Sequence, residues 1–463
     1  MPFLPDFSQA TFLPNDPIDN NYLPMVLGTV SAFAGSDGET VEANDFYVTS
    51  LKFEVLGVET FVIRDTAYED GLLIEETCDF IAQDSDGNVW YFGEIVINYR
   101  YDEDGNFLGT DSDGAWLAGE DDAQPGWLMP DRPVRDFSWY NEHAPDVALD
   151  RTRALGRHHR IDTQLGELEV LKTQDKTELE PGVREFKYYA QGIGLVRVEE
   201  DLDASGEPGL VIELTDTITA GSSLPPAGAS RIDADDFAGD GSTRWVTFLG
   251  EDGEHSGAIG YYTYDLATGE IGEGRILSAD LANAAAGDAF KIKGVGAGQG
   301  IGLFFVPNAA ELGVDLADYK AGGLFFQNML TGDAATLSDR MAPVVFDGGG
   351  NPLPISIFHA LGAAHQANLL NPGLGLQAVE WLPFDDDVVE IGFEDHRQTE
   401  QGFDADFDDF RFAFADAPVD PTDFVVPPEA AFEGRATEAT PPAIAVGWID
   451  RAGALPEAES WLA

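Results

Sequence analysis

Short runs rich in Val, Ile, Phe and Tyr, closed by Asp-Gly turns, commit the first half of this chain to antiparallel β structure. "LKFEVLGVETFVIRD", "GLLIEETCDFIAQD", "NVWYFGEIVINYRYD", "REFKYYAQGIGLVRVEED" and "GLVIELTDTI" are such runs, and "YEDG", "DSDGN" and "DEDGN" stand between them. Within one run Val89, Tyr91, Ile95, Ile97 and Tyr99 share a parity, while Glu94, Asn98 and Arg100 take the other. That alternation belongs to strands with two unlike faces, and a meander of them curls into a barrel or half-barrel. A second group ("TRWVTFLG", "GAIGYYTYD", "GIGLFFVPN", "GGLFFQN", "LQAVEWLPF", "DVVEIGFED", "DFRFAFAD") has the short spacing and edge glycines of a β-sandwich. The expected fold is therefore all-β, an antiparallel meander or barrel-like domain followed by a jelly-roll-like β-sandwich. Its expected divisions are an extended segment 1–21, a β-domain 22–218, a Pro/Gly/Ser-rich linker 219–235, a sandwich 236–416 and a Pro-rich tail 417–463. Two short helices are expected within the sandwich, at "ADLANAAAG" and "AAELGVDLADYK".

Charge narrows the partners. Eighty-four acidic residues against 25 basic ones give a formal charge of −59 over 463 residues. Nucleic acid and anionic membranes are bound through Lys and Arg, so neither is expected as a partner. Cations, basic partners or solubility in salt fit such a surface better, and salt adaptation stands as the plain alternative. The single cysteine, Cys78, permits no intramolecular disulfide and no thiolate zinc cluster. No stretch approaches the roughly 18 apolar residues of a membrane-spanning helix. "MPFLPDFSQATFLPND" has neither the basic start nor the apolar run of a signal peptide. The expectation is a cytoplasmic protein or, in better keeping with a cysteine-poor, Gly/Asp-rich chain, an extracellular or cell-surface one exported by a type I route without a cleaved N-terminal signal.

The densest carboxylate run lies at "EDHRQTEQGFDADFDDFRFAF", residues 394–414, and no lysine follows Lys320 to neutralise it. In an extended strand Asp404, Asp406 and Asp408 would share a face with Phe410, Phe412 and Phe414. Carboxylates cannot continue into that core, so the backbone is expected to curl before about residue 409, turning the i, i+2, i+4 spacing into a concave set of oxygens. Calcium, which takes six to eight oxygen ligands in flexible geometry, suits such a set. The run starts like an EF-hand loop but has Asp409 where that loop needs glycine and Ala415 where it needs glutamate, so a helix–loop–helix is not the expected form. Glu394 and Asp395 follow the inward set Val389, Ile391 and Phe393, and Asp409 closes the run. The expected ligands of a Ca2+ ion are thus Glu394, Asp395, Asp404, Asp406, Asp408 and Asp409, against the alternative of a solvated acidic loop.

Four motifs between about Arg244 and Phe414 carry a resemblance: "GYYTYDLATGEI" (260–271), "GIGLFFVPN" (300–308), "LLNPGLGLQAVEW" (369–381) and "EIGFEDHRQTEQGFDADFDDFRF" (390–412). This segment, under half of the chain, resembles a bacterial domain-of-unknown-function family common in large secreted or RTX-type proteins and in surface proteins. The resemblance implies calcium binding for the last and most specific motif. The chain departs from the pattern at Gln377, where the family has a histidine. The N-terminal half is only loosely similar to other uncharacterised bacterial β-domains, through "YYAQGIGLV" (188–196), which implies no activity.

Other clusters have simpler explanations. Asp84, Asp86 and Asn88, and Asp102, Asp104 and Asn106, read as hairpin turns before they read as cation sites. Asp233, Asp235, Asp236 and Asp240 in "RIDADDFAGDG" are evenly balanced between a second cation site and a loop. "GRHHR" (156–160) reads as a solvated loop, and His359 and His365 are six apart, off one helical face. No His-Glu-x-x-His, Gly-x-Ser-x-Gly or phosphate-cradling Gly-x-x-x-x-Gly-Lys occurs, so no enzyme is expected. The expected function is a non-enzymatic, calcium-binding structural or adhesive protein that self-associates or meets an extracellular matrix or surface partner. The alternative is a carbohydrate-binding or carbohydrate-active protein built on Trp90, Tyr91 or Trp381 with nearby carboxylates, its partner a glycan.

Overall fold

The Asp-Gly and related turns close a continuous meander through Thr29–Ser36, Val41–Val55, Val58–Glu69, Leu72–Gln83 and Val89–Tyr101. Leu56-Gly57 and Asp70-Gly71 both hold positive φ at two successive residues, the turn whose twist matches the strands it joins. The computed structural model describes residues 2–253, 255–362, 369–385 and 388–424, and Met1–Val426 form one compact unit. A second meander, Asp150–Thr163, Gly166–Thr177, Glu185–Ala190, Gly194–Glu200 and Leu210–Thr219, joins the first where its last strand pairs antiparallel with Thr29–Ser36. The free ends of this sheet come together through Gln124–Met129, Ser138–Tyr140 and Glu142–His143, and Trp139 Nε1 donates to Trp127 O at 2.8 Å across the seam. The result is a nearly closed barrel. Phe7 and Phe12 of the N-terminal segment pack edge-on against Trp90 and Phe92 of the barrel wall.

The barrel interior is less apolar than the strand pattern suggests. Asp79 and Glu94 are cross-strand partners, and Asp65 and Glu75 lie on the same face of neighbouring strands. An extra residue in Val89–Tyr101 shifts the register, so that Ile81 faces Tyr91 while Asp79 faces Glu94. Tyr91 thereby shares a face with Glu94 rather than with Ile95, against the simple alternation, and its hydroxyl donates to Asp79 Oδ1 at 2.6 Å. Gly93, with φ of 121°, sits in this bulge against the backbone of Trp116, where a Cβ would come within 2.2 Å of a carbonyl oxygen. Burial, reinforced by like charges, raises Asp65 to about 8, Asp79 to about 7 and Glu94 to about 9.

The second half folds into two facing sheets. One orders Ala229–Ser230, Ala378–Asp385, Val388–Phe393, Phe410–Ala415, Arg244–Glu251 and Ala289–Ile292; the other orders Ile271–Ser278, Gly257–Asp265, Gln299–Pro307 and Phe358–His359. Their phenyl rings interleave, Phe305 lying 4.6 Å from Phe410 and 5.7 Å from Phe393 between centroids. Arg411 and Glu390 form a buried ion pair within the first sheet. No α-helix occurs among the described residues. The stretch at 309–320 contains only a 3-10 turn at Leu316–Tyr319, capped by Asp315, because Gly313 (φ 69°) breaks a segment too short to repay helix nucleation. Residues 279–287 likewise form turns, Asn283 N–H donating to Asp280 Oδ1 at 3.2 Å. Within 219–235, Ala229–Ser230 adds a strand to the sandwich and Ser223 Oγ accepts from Leu376 N at 3.1 Å. Residues 425–463, with most of the Pro-rich tail, lie outside the described residues.

Burial keeps Asp65 and Glu94 protonated in the fold up to about pH 8 and 9, whereas both ionise near pH 4 in the unfolded chain. Their stabilising contribution is full below about pH 4 and is lost as pH rises through 8 to 9. In chelator, the thermal midpoint should fall between pH 5 and pH 9, and Asp65→Asn with Glu94→Gln should flatten that slope. A wild-type slope left unaltered by the double variant would refute the assignment.

Candidate metal centre

Val388–Phe393 and Phe410–Ala415 are antiparallel neighbours, Phe393 facing Phe410, and residues 394–409 form the connection between them. Glu394 and Asp395 leave the first strand still buried, at 1% and 2% exposure. Two backbone bonds then fold the connection back on its own start. Phe407 N–H donates to Glu394 Oε1 at 2.7 Å, and Asp395 N–H donates to Asp409 Oδ2 at 2.8 Å. The curl over 404–408 comes from left-handed backbone at Ala405 (φ 63°) and Phe407 (φ 57°), an unfavourable conformation for both residues. The Phe407 ring, buried in the curl, and its bond to Glu394 hold it there. Gly392 is required beneath, since a Cβ would meet the Phe407 carbonyl oxygen at 1.9 Å.

Glu394, Asp404 and Asp406 each bring one carboxylate oxygen within 4.8 Å of the others, one buried, one exposed and one between. Oxygens so spaced can touch a common ion at roughly 2.4 Å, the calcium–oxygen distance. The other three expected ligands stand outside this triad. Asp395 is engaged on both oxygens, Oδ2 accepting from His255 N at 2.8 Å and Oδ1 lying 2.5 Å from His396 Nδ1. Asp409 is taken up by the Asp395 N–H, and Asp408 N–H donates to Asp406 Oδ1 at 3.2 Å. Among the described residues no other three His, Cys, Asp or Glu side chains converge so closely. The donors are hard oxygens, which fits Ca2+ and not a zinc ion that would seek imidazole or thiolate.

The carboxylates of this corner are shifted by burial and by one another. Burial first, and then the charge of Asp409, push Glu394 well above the usual carboxylate range, while the Phe407 N–H pulls it back. Burial and Asp408 raise Asp406 to about 7, and burial and Asp395 raise Asp409 to about 8. Asp395 behaves oppositely: burial raises it, but the His396 hydrogen bond and the His255 N–H outweigh that and hold it low. His396 is raised in turn by the same bond. Gln377, where the resembled family has histidine, is fully buried opposite this corner; its carbonyl accepts from Glu394 N at 3.1 Å and its Nε2 donates to His396 O at 2.5 Å.

The remaining candidates resolve into structural roles. Asp84 Oδ1 accepts from the N–H groups of Asp86 and Asn88, and its Oδ2 from Trp90 Nε1 at 2.7 Å. Asp102 closes its turn with Asp104 and Asn106 in the same way, and so does Asp347 with Gly349 and Asn351. Asp233 caps the 3-10 turn Ala234–Phe237, and Asp240 accepts from Ser242 N at 2.7 Å. In "GRHHR" His158 lies 2.8 Å from Glu169 and Arg160 2.9 Å from Glu167, cross-strand pairs on an exposed hairpin. His359 is buried beside the Tyr262 hydroxyl, 3.1 Å away, and burial holds it down to about 3; His365 lies outside the described residues. Trp90, Tyr91 and Trp381 are all buried, so none offers an open aromatic platform.

No protein-family model and no curated protein matches the sequence. Two solved structures align with it. One is a protein of Bacteroides fragilis NCTC 9343 described as exported and YmcC-like in fold, with 14% identity over 43% of this chain and 99% of its own, at a TM-score of 0.26. The other is a protein of Parabacteroides distasonis ATCC 8503 described as a lipoprotein, with 13% identity over the same shares and a TM-score of 0.25. Similarity this slight assigns no function.

Protonated carboxylates must release their protons to a metal, so cation affinity should rise with pH through about 7 to 8, the range of Asp406 and Asp409. Calorimetric titration with calcium at pH 6 and pH 8.5 measures this, and Asp404→Asn with Asp406→Asn should remove at least about tenfold in affinity. Affinity independent of both pH and the double substitution would place the ion elsewhere.

Proposed function

We propose that this chain is a non-enzymatic, calcium-binding β protein, exported or surface-associated, that serves as a structural or adhesive component of an extracellular assembly. The observation that carries the reading is the convergence of Glu394, Asp404 and Asp406 at the buried start of the 394–409 connection. Three carboxylates drawn together in a half-buried corner repel one another unless protons or a cation intervene. Calcium is plentiful outside cells and scarce in cytoplasm, and an ion that binds only the folded chain adds to its stability where the ion is present. The site would therefore stay open during synthesis and close after export. The −59 charge fits an extracellular, soluble existence and argues against nucleic acid as a partner.

Thermal unfolding in EDTA, in millimolar calcium and in millimolar magnesium tests the reading. At a hundredfold excess over the dissociation constant, calcium should add about 2.7 kcal/mol, a rise of several degrees, with little response to magnesium. Coincident curves in all three would reject the cation site, and recovery of the protein wholly in the cytoplasmic fraction of its host would reject the export.

A further inference from the structure

Between the proposed ligands, the 394–409 connection makes a long excursion whose tip bridges the two halves, Gln398 Oε1 accepting from Ser223 Oγ at 2.5 Å on the sandwich side. Thr399 Oγ1 donates to Asp45 Oδ2 of the barrel strand Val41–Val55 at 2.8 Å. Arg397 Nε lies 3.6 Å from the same carboxylate oxygen, and its guanidinium sits 3.6 Å above the ring of Tyr68 on the adjacent strand Val58–Glu69. Glu400 holds the other end of that guanidinium at 3.4 Å. Arg397, Asp45 and Tyr68 are all at least nine-tenths buried. A buried arginine held by two carboxylates and an aromatic face is a contact that is costly to lose piecemeal. The chain has also been trimmed to fit, since a Cβ on Gly373 would meet Thr399 Oγ1 at 2.9 Å and Arg397 Cβ at 3.3 Å.

We infer that this connection is a cation-fastened strap: an ion drawing Glu394 to Asp404 and Asp406 closes its root, and the closed root holds Arg397 and Thr399 in the barrel wall, so that occupancy of the sandwich site sets how tightly the sandwich grips the barrel. The inference rests on the cation reading proposed above. The ligands lie on either side of the tip in sequence, at 394 and at 404–406, and converge in space. Opening the root therefore loosens both flanks of the segment bearing Arg397 and Thr399, leaving them to the Asp395–Asp409 and Gln377–His396 bonds, whereas closing it shortens the loop that must be ordered for those contacts to form. A cation at this position acts on the seam between two halves of the molecule without touching the barrel.

The chain carries its own reporter of that seam. Cys78 is its single cysteine, fully buried in the barrel, cross-strand from Arg64 on the face that Arg64 and Tyr68 turn toward the sandwich. The rate at which Cys78 reacts with a maleimide in the native full-length protein measures seam opening. Calcium should slow labelling by about tenfold relative to EDTA. In Arg397→Met combined with Asp45→Asn, which removes the buried pair together, calorimetry should still show calcium binding while calcium no longer slows labelling. If that variant does not fold, Thr399→Val tests the same link and should weaken the response. Calcium binding without any change in wild-type labelling would overturn the strap and leave the metal site standing. A full labelling response in a folded strap variant would overturn it too. Absence of calcium binding to the wild type would overturn both readings together.

Discussion

The folding of this chain depends on where its excess carboxylate goes. With 25 cationic side chains for 84 acidic ones, most carboxylates meet water, turn N–H groups or one another. The few buried cations are each committed: Arg64 to Glu76, Arg411 to Glu390, Arg397 to Asp45 and Glu400. Exposed carboxylates are inexpensive, and many organise turns as Asp102 and Asp347 do. Buried ones without a cation must be protonated or must recruit an ion from solution. Two such groups among the described residues lie inside the barrel around Asp65, Asp79 and Glu94 and at the corner of the sandwich around Glu394.

The two groups solve the problem differently. Inside the barrel the acids lie across adjacent strands, tied to neutral partners such as the Tyr91 hydroxyl and the Asn44 amide, an arrangement stable with protons alone. At the sandwich corner the backbone has been bent to gather oxygens, at the expense of two left-handed non-glycine residues. Strain of that kind persists where something returns the energy. The buried bond from Phe407 N–H to Glu394 returns part, and a coordinated ion would return more.

Much of this was legible in the sequence. Strand-forming runs and Asp-Gly turns announced an all-β chain, and the Asp404–Asp406–Asp408 spacing before an aromatic strand announced the curl. The interior acids were not legible, because the extra residue near Gly93 changes which face Tyr91 and Glu94 occupy, and periodicity cannot see a bulge. Six acids looked equivalent as ligands, yet three converge: Asp395 is claimed by the His255 N–H, which arrives from the approach to the facing sheet, and Asp409 by the Asp395 N–H, a contact fixed by the Phe393–Phe410 register. The docking of Arg397 on Asp45 and Tyr68 joins residues more than three hundred positions apart, beyond any local pattern. The expected helices failed for a local reason, since Gly313 and the Asp280 and Asp315 turns offered the backbone better alternatives than a short helix.

A crystal structure of the full chain grown in calcium would show directly whether the corner around Glu394 holds an ion. The expected density is a cation within about 2.3 to 2.6 Å of oxygens from Glu394, Asp404 and Asp406, completed by backbone carbonyls or water, with anomalous signal above that of water. The same corner holding only water in saturating calcium, its carboxylates apart or sharing protons, would contradict the cation site.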